Sequence, residues 1–277
     1  MNEHEQTPTM DECLQAYYAG YDEEGRLLWR HGQVEYLTTM KLLHDRLKPG
    51  DRILEIGAGT GRYSVTLAGE GYDITSVELI EHNLNILKSK ITPDMTIAAH
   101  RGNALDLTNL DGGAAALSDD TFDVTLLLGP MYHLITEEER REALCEAIRV
   151  TKPGGYLFVA YCIADATIVD FIFKKGMLGH VLENNMMNTE TFDLYTTPRE
   201  LFVMTRKRDI DRMIADLPVR RDTYAAADGA ANFMRETVDA MDDETFAYFM
   251  KWHLSVCESP DLVGATHHSL DVLVKLS

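Results

Sequence analysis

Residues 52–78 read RILEIGAGTGRYSVTLAGEGYDITSVE, and the order of residue types along this stretch decides the fold. Ile53, Leu54 and Ile56 form a short apolar run that stops at Gly57, the pattern of a buried parallel strand feeding a tight turn. Gly57, Gly59 and Gly61 carry no Cβ, so the backbone can take positive φ and a ligand can approach the main chain. Val65, Leu67 and Ala68 then begin a helix whose first N–H groups have no partner inside it and face the turn. Beyond the Gly69–Gly71 break, Tyr72 to Val77 reads as a second strand with Glu78 at its carboxyl end. That acid lies about twenty residues past the turn, where a carboxylate accepts hydrogen bonds from two ribose hydroxyls.

Spacing separates one nucleotide-type ligand from another. The dinucleotide pattern G-x-G-x-x-G needs a glycine at position 62, which is Arg62 here. The sequence offers G-x-G-x-G instead, with Glu55 two residues ahead of it. This resembles the first motif of class I S-adenosylmethionine-dependent methyltransferases. The resemblance implies an α/β, Rossmann-like, doubly wound and mostly parallel sheet that binds S-adenosyl-L-methionine. It also implies residue roles: Glu55 orders the loop and the methionine end, Gly57, Ala58, Gly59 and Gly61 admit the adenosyl sulfonium, and Glu78 with Leu79 holds the ribose. A glycine turn between strand and helix can also serve topology alone.

The resemblance continues over most of Lys48 to Phe158. Arg101-Gly102-Asn103-Ala104 follows a short strand at Thr96 to Ala99, where the family usually reads G-D-A. Asn103 stands in the place of the acid, and with an acceptor and two donors it can still meet an adenine edge beside Ala104. Asp106 is the neighbouring candidate, and an ordinary loop Asn is the other reading. Thr121 to Leu128 fits the family's F-D-x-V strand, with Leu128 at its end among the cofactor contacts. It leads into Gly129-Pro130-Met131-Tyr132-His133-Leu134, and G-P-x-Y-H-L resembles a turn of a bacterial small-molecule methyltransferase subgroup. Ligands of open α/β sheets sit beyond the carboxyl ends of the strands, so this turn is expected beside the transferred methyl. His133 is the candidate base and Tyr132 the residue that orients the acceptor. The alternative is that His133 caps the next helix and Tyr132 packs on the cofactor. Thr136 and Glu139 have capping-box spacing at the head of a helix ending before Lys152-Pro153-Gly154-Gly155, and Tyr156 to Cys162 and Ser269 to Leu276 read as further strands.

Two segments flank this core and are expected to determine the acceptor. Residues 1–47 form an N-terminal helical lid in which Tyr21, Arg30 and His31 are candidate cofactor contacts, or simply anchors of the helices. Val34 to Leu47 is its clearest amphipathic helix. Residues 48–162 are the cofactor-binding core, 163–266 a helical cap insertion, and 267–277 the closing strand. In the cap, Asp170 to Phe173 with Met177, Leu178, Met186 and Met187 could line an apolar pocket or fill an irregular core. Two helices are expected at Asn232–Met241 and Glu244–Leu254.

Composition narrows the partners. Lys and Arg number 26 against 45 Asp and Glu, a net charge of −19 that repels polyphosphate, so nucleic acid is not expected. Arg206-Lys207-Arg208, Arg212, Arg220 and Arg221 are interrupted by Asp209, Asp211 and Asp216 and read as a solvated helix face, a nucleic-acid or anionic-substrate patch being the lesser alternative. No apolar run is long enough to cross a bilayer, and Met1 to Glu5 lacks a signal-peptide pattern. Cys13, Cys145, Cys162 and Cys257 are scattered, as reduced thiols of a cytoplasmic protein are. His253, Cys257, His267 and His268 have a spacing that permits zinc without requiring it, and no metal is expected.

Methyl transfer from a sulfonium asks mainly for alignment and exclusion of water. The resemblance therefore implies transfer to the oxygen or nitrogen of a small molecule by in-line displacement. Two alternatives stay open: a protein or RNA methyltransferase with an exposed acceptor groove, and a non-catalytic S-adenosylmethionine-binding regulator. Oligomeric state is not legible.

Overall fold

The computed structural model describes residues 9–111 and 116–277, so the reading of Met1 to Glu5 lies outside the described residues. Thr9 and Glu12 exchange capping hydrogen bonds and start α1 (Met10–Tyr18). Asp22 caps the single turn of α2 (Glu23–Arg26), and α3 (Arg30–His44) follows. The chain then alternates strand and helix: β1 (Arg52–Ile56), α4 (Arg62–Gly69), β2 (Asp73–Glu78), α5 (Glu81–Ser89), β3 (Ile97–Arg101) and β4 (Phe122–Leu127). Thr136 and Glu139 form the expected capping box ahead of α6 (Glu137–Val150), which gives way directly to β5 (Thr151–Ile163). Next come α7 (Ala164–Thr167), a π-helical turn at Ile168–Lys174, α8 (Leu178–Glu183), β6 (Met204–Thr205), α9 (Lys207–Ile214) and β7 (Val219–Ala226). The helices α10 (Arg235–Asp239) and α11 (Asp243–Val256) precede β8 (His268–Lys275). Asn232–Met241 is thus helical only in its middle.

The sheet order is β3-β2-β1-β4-β5-β8-β7, with the short β6 paired to the end of β5. β8 runs antiparallel to both neighbours while the other ladders are parallel, giving a Rossmann-like, doubly wound arrangement. Alternation along the strands divides the core into two layers. Leu54, Ile56, Leu157 and Val159 face α6 and α9, whereas Ile53, Val124, Leu126 and Phe158 face α3 and α4. Strand order reverses between β1 and β4, which opens a crevice at their carboxyl ends.

The segment 163–266 is not a wholly helical insertion. Met204 to Ala226 returns to the core: α9 buries Ile210, Met213 and Ile214 beside α6, and β7 forms the sheet edge against β8. The charges hid this strand. Arg221, read as part of a solvated helix, pairs through Nε and Nη2 with the fully buried Asp271 of β8 at 2.6 and 2.7 Å. What lies mostly outside the core are the stretches 164–203 and 227–266, from which Ala166 and Ala227 still pack into it. In the first, Ile168, Ile172, Val181 and Met187 build a small core of their own, with Met186 and Leu194 against it, so the methionines fill space there and line neither cavity described below.

Candidate active site

The turn after β1 is shaped by close approaches. Gly57 sits at φ +72°, and a Cβ there would lie 2.6 Å from the Pro130 ring in the turn after β4. Gly61, at φ +84°, has the same constraint against Leu87 of α5, where a Cβ would meet Cγ at 2.7 Å. Gly61 therefore seats α4 on α5 and does not line the cavity, contrary to the sequence expectation. Gly57, Ala58 and Gly59 do.

Two buried acids organise this loop. Glu55 accepts hydrogen bonds from the Ser64 N–H at 3.0 Å and from the Ser64 hydroxyl, tying β1 to the first turn of α4. Burial pushes its pKa up to about 8. Glu78 accepts from the N–H groups of Gly59 and Ile80, both at 2.7 Å, so one carboxylate braces the glycine turn and the end of β2. Burial, with the Glu23 carboxylate adding in the same direction, raises its pKa to about 7 against the pull of those N–H groups.

Between these elements lies a cavity of about 200 Å³ bordered by Glu55, Glu78, Leu79, Asn103, Ala104 and Leu128. Asn103 uses its side-chain oxygen on the Leu105 N–H at 3.0 Å, which leaves its amide N–H groups available. Asp106 is spent on Thr108 and does not border the cavity, so Asn103 is the better placed of the two. Asn83 Oδ1 and Arg62 Nε, from two further lining residues, are buried without a hydrogen-bond partner among the described residues. Orphaned polar atoms, buried acids and backbone held open by glycine suit a ligand with ribose hydroxyls and a charged amino-acid end.

The N-terminal segment closes this cavity with residues other than those expected. Tyr18, Glu23, Glu24 and Arg26 border it. Lys90, at the C-terminal cap of α5, holds the Glu24 carboxylate and also donates to the Thr60 carbonyl at 2.8 Å, fastening α2 to the glycine turn. Arg30 instead pairs with Asp243 at 2.6 Å and lies over the Phe246 ring, while His31 is held by Asp239 at 2.7 Å. Both fasten α3 to the α10–α11 segment. Tyr21 stacks on Tyr17, 4.9 Å between centroids, and borders a neighbouring cavity. The amphipathic helix at Val34 to Leu47 was readable from sequence; the partners that fix Arg30 and His31, more than 200 residues away, were not.

His133 is not placed as a base. Its Nδ1 lies 3.1 Å from the Leu201 carbonyl, which only accepts, so Nδ1 carries the proton and Nε2 accepts from the Tyr18 hydroxyl at 2.9 Å. Burial depresses its pKa to about 4. His133 is thus a neutral tether between the β4 turn and α1, and both nitrogens are occupied. Tyr132 borders the cavity, and the neighbouring one of about 450 Å³ as well. The zinc spacing does not converge: His253 bonds Thr38, Cys257 bonds the Leu254 carbonyl, and His267 packs on Phe233.

The family model described as a methyltransferase domain matches residues 54–159. The demethylmenaquinone methyltransferase of Renibacterium salmoninarum is 35% identical over 113 residues, which are 40% of this chain and 41% of that protein. The chain spans less than half the length of that curated relative. Among solved structures, a SAM-dependent methyltransferase from Methanosarcina mazei superposes with a TM-score of 0.55 at 16% identity, covering 85% of this chain and 97% of that one. The [4+2]-cyclase SpnF superposes with 0.54 at 17% identity, over 98% of each chain. At such identities the likeness establishes the fold, and the cyclase shows that the fold hosts more than one chemistry. Residues 54–159 thus match a methyltransferase domain and lie on a Rossmann-like sheet, and that match points to S-adenosyl-L-methionine as the cofactor.

Proposed function

We propose that the protein is an S-adenosyl-L-methionine-dependent methyltransferase acting on a small molecule at oxygen or nitrogen. The observation that carries this reading is Glu78: a buried carboxylate at the end of β2, braced by the N–H groups of Gly59 in the glycine turn and of Ile80, and bordering the cavity. In this reading Glu78 receives the ribose hydroxyls and Asn103 meets the adenine edge. Glu55, through Ser64, keeps the turn open. The bound cofactor supplies a methyl group on a sulfonium, an activated electrophile. Tyr18, Glu23 and Arg26 cover the cavity and exclude water, and Tyr132, shared with the adjoining cavity, orients the acceptor. His133 moves no proton.

A second concave cavity of small-ligand size beside the first supports a small acceptor, as does likeness to an enzyme named for demethylmenaquinone. Calorimetry with S-adenosylhomocysteine tests the cofactor half; failure to bind folded protein ends the reading. Incubating cell extract with enzyme and deuteriomethyl cofactor, followed by mass spectrometry, tests the acceptor half. A labelled metabolite is expected, and label confined to protein or RNA would overturn the small-molecule assignment.

A further inference from the structure

The second cavity adjoins the first across Tyr18, Glu23, Arg26 and Tyr132, which border both. Its 450 Å³ is within the range of small-ligand sites. The walls are aromatic: Tyr17 stacks on Tyr21, Tyr132 lies at 28° to Phe202 with 6.0 Å between centroids, and Trp29 is exposed at the rim.

The floor is ionic. Arg26 forks onto both oxygens of Glu35 at 2.8 and 3.3 Å, Glu35 lies 3.5 Å from His268 Nδ1, and that nitrogen is 2.7 Å from Asp228 Oδ2. Asp228 is fully buried and also receives Asn232 Nδ2, the Thr266 hydroxyl and the N–H groups of His267 and His268. Glu35 from α3 and Asp228 from the loop after β7, with Cys162 of β5 nearby, hold the His268 pKa well above the ordinary value despite burial. Two carboxylates against Nδ1, at 3.5 and 2.7 Å, favour the imidazolium form of His268. Its Nδ1–H is committed to the two carboxylates, and Nε2 has no hydrogen-bond partner among the described residues.

Glu35, Asp228 and His268 bring ligand atoms within 4.8 Å of one another, as a cation site would. The donor set argues otherwise: a guanidinium already covers Glu35, and four donors besides the imidazole fill Asp228. The cluster is built around an imidazolium.

We propose that this cavity is the acceptor site and that His268 Nε2–H holds the oxygen of a planar ring acceptor, a phenol or enol bound as its anion. This rests on the methyltransferase reading above. On binding, the hydroxyl proton leaves to solvent. A lone pair of the oxyanion then forms the O–C bond while the C–S bond breaks and its pair returns to sulfur. One negative and one positive charge become a neutral ether and a neutral thioether, and His268 stays protonated throughout. Aromatic walls stack the ring, and the charge-assisted N–H places the oxygen.

The test uses full-length protein saturated with S-adenosylhomocysteine and two probes, 4-nitrophenol and nitrobenzene, which differ by one hydroxyl. The phenol should bind at least about tenfold more tightly, the worth of a hydrogen bond to a charged donor. Its phenolate absorbance should also develop at lower pH when bound than when free. His268→Gln should remove the preference and the spectral shift while leaving S-adenosylhomocysteine affinity within about twofold. Trp29→Ala, an exposed rim change, should weaken both probes. Equal binding of the two probes to the native protein, or an undiminished phenolate shift in the His268→Gln protein, overturns the proposal. If S-adenosylhomocysteine itself does not bind, the methyltransferase reading fails; if it binds and the phenol preference is absent, only the acceptor assignment does.

Discussion

Replacing Glu78 with Gln keeps the side-chain shape and removes the charge. A hydrogen bond to an ionised acceptor contributes ~1.5–3 kcal/mol and one to a neutral acceptor ~0.5–1.5 kcal/mol, so the change should cost ~1–2 kcal/mol of ligand binding. That corresponds to about five- to thirtyfold in Kd for S-adenosylhomocysteine. The amide also turns a donor toward one of the two N–H groups that Glu78 now receives from Gly59 and Ile80, which adds to the loss. Because burial raises the Glu78 pKa to about 7, protonation competes with the ribose hydroxyls near neutrality. The ionised fraction grows from about a tenth at pH 6 to about nine tenths at pH 8, so native affinity should rise about tenfold across that range with release of a proton on binding. The variant should bind weakly with little pH dependence. Calorimetry at pH 6, 7 and 8 in two buffers of different ionisation enthalpy reads both affinity and proton count. A pH-independent native Kd, or native affinity in the variant at pH 8, refutes the reasoning. The same group sets a stability trend in ligand-free protein: the folded carboxyl holds its proton more tightly than the unfolded one, whose pKa is 4.5. The native state therefore binds more protons between pH 4.5 and 7, and stability falls as pH rises through that window, by about 3 kcal/mol. Glu55, raised to about 8, acts in the same direction.

Tyr18→Phe and His133→Gln each delete the 2.9 Å tether of α1 and should weaken S-adenosylhomocysteine by about fivefold, with the double variant no worse than either single one. Additive losses on calorimetry would mean the two residues act separately. Since His133 is depressed to about 4 and the unfolded value is 6.5, it withdraws stability as pH falls from 6.5 to 4, and His133→Gln should lessen that acid lability in thermal melts. Gly61→Ala places a Cβ 2.7 Å from Leu87 Cγ at φ +84° and should destabilise by ~1–3 kcal/mol, with partial recovery on adding Leu87→Ala. An unchanged Tm would show that α4 and α5 can slide apart freely. Arg221→Ala leaves Asp271 buried and unpaired and should cost ~3–5 kcal/mol in urea unfolding, much of it regained by adding Asp271→Asn; a loss typical of a surface pair would place Asp271 in water.

The glycine turn was legible because its constraints are local: Glu55 to Gly59 and Glu78 lie within two strands of each other, and Gly57 and Gly59 are forced by backbone φ. Thr136 and Glu139 were legible for the same reason. What sequence missed depends on distant partners. Arg221 looks solvated until β8 supplies Asp271, so a strand hid under a helix-like charge run. His133 looks like a base until Leu201 and Tyr18, 68 and 115 residues away, occupy both its nitrogens. His268 looked like a weak zinc ligand, and only the meeting of Glu35 with Asp228 makes it an imidazolium.

A single helical turn does not persist by itself, so α2 must be held by what it touches. Its Glu24 is gripped by Lys90, which also binds the Thr60 carbonyl of the glycine turn, and its Arg26 is forked on Glu35 beside His268. One end thus reports on the cofactor loop and the other on the second cavity, and closure of both is a single event. Lys90 itself borders neither cavity. Lys90→Met should therefore weaken S-adenosylhomocysteine and 4-nitrophenol together, and Glu35→Gln, which loosens Arg26 at the other end of α2, should do the same. Calorimetry with each ligand separates the cases. If Lys90→Met affects the cofactor product and leaves the phenol untouched, α2 does not link the two cavities, and each closes independently.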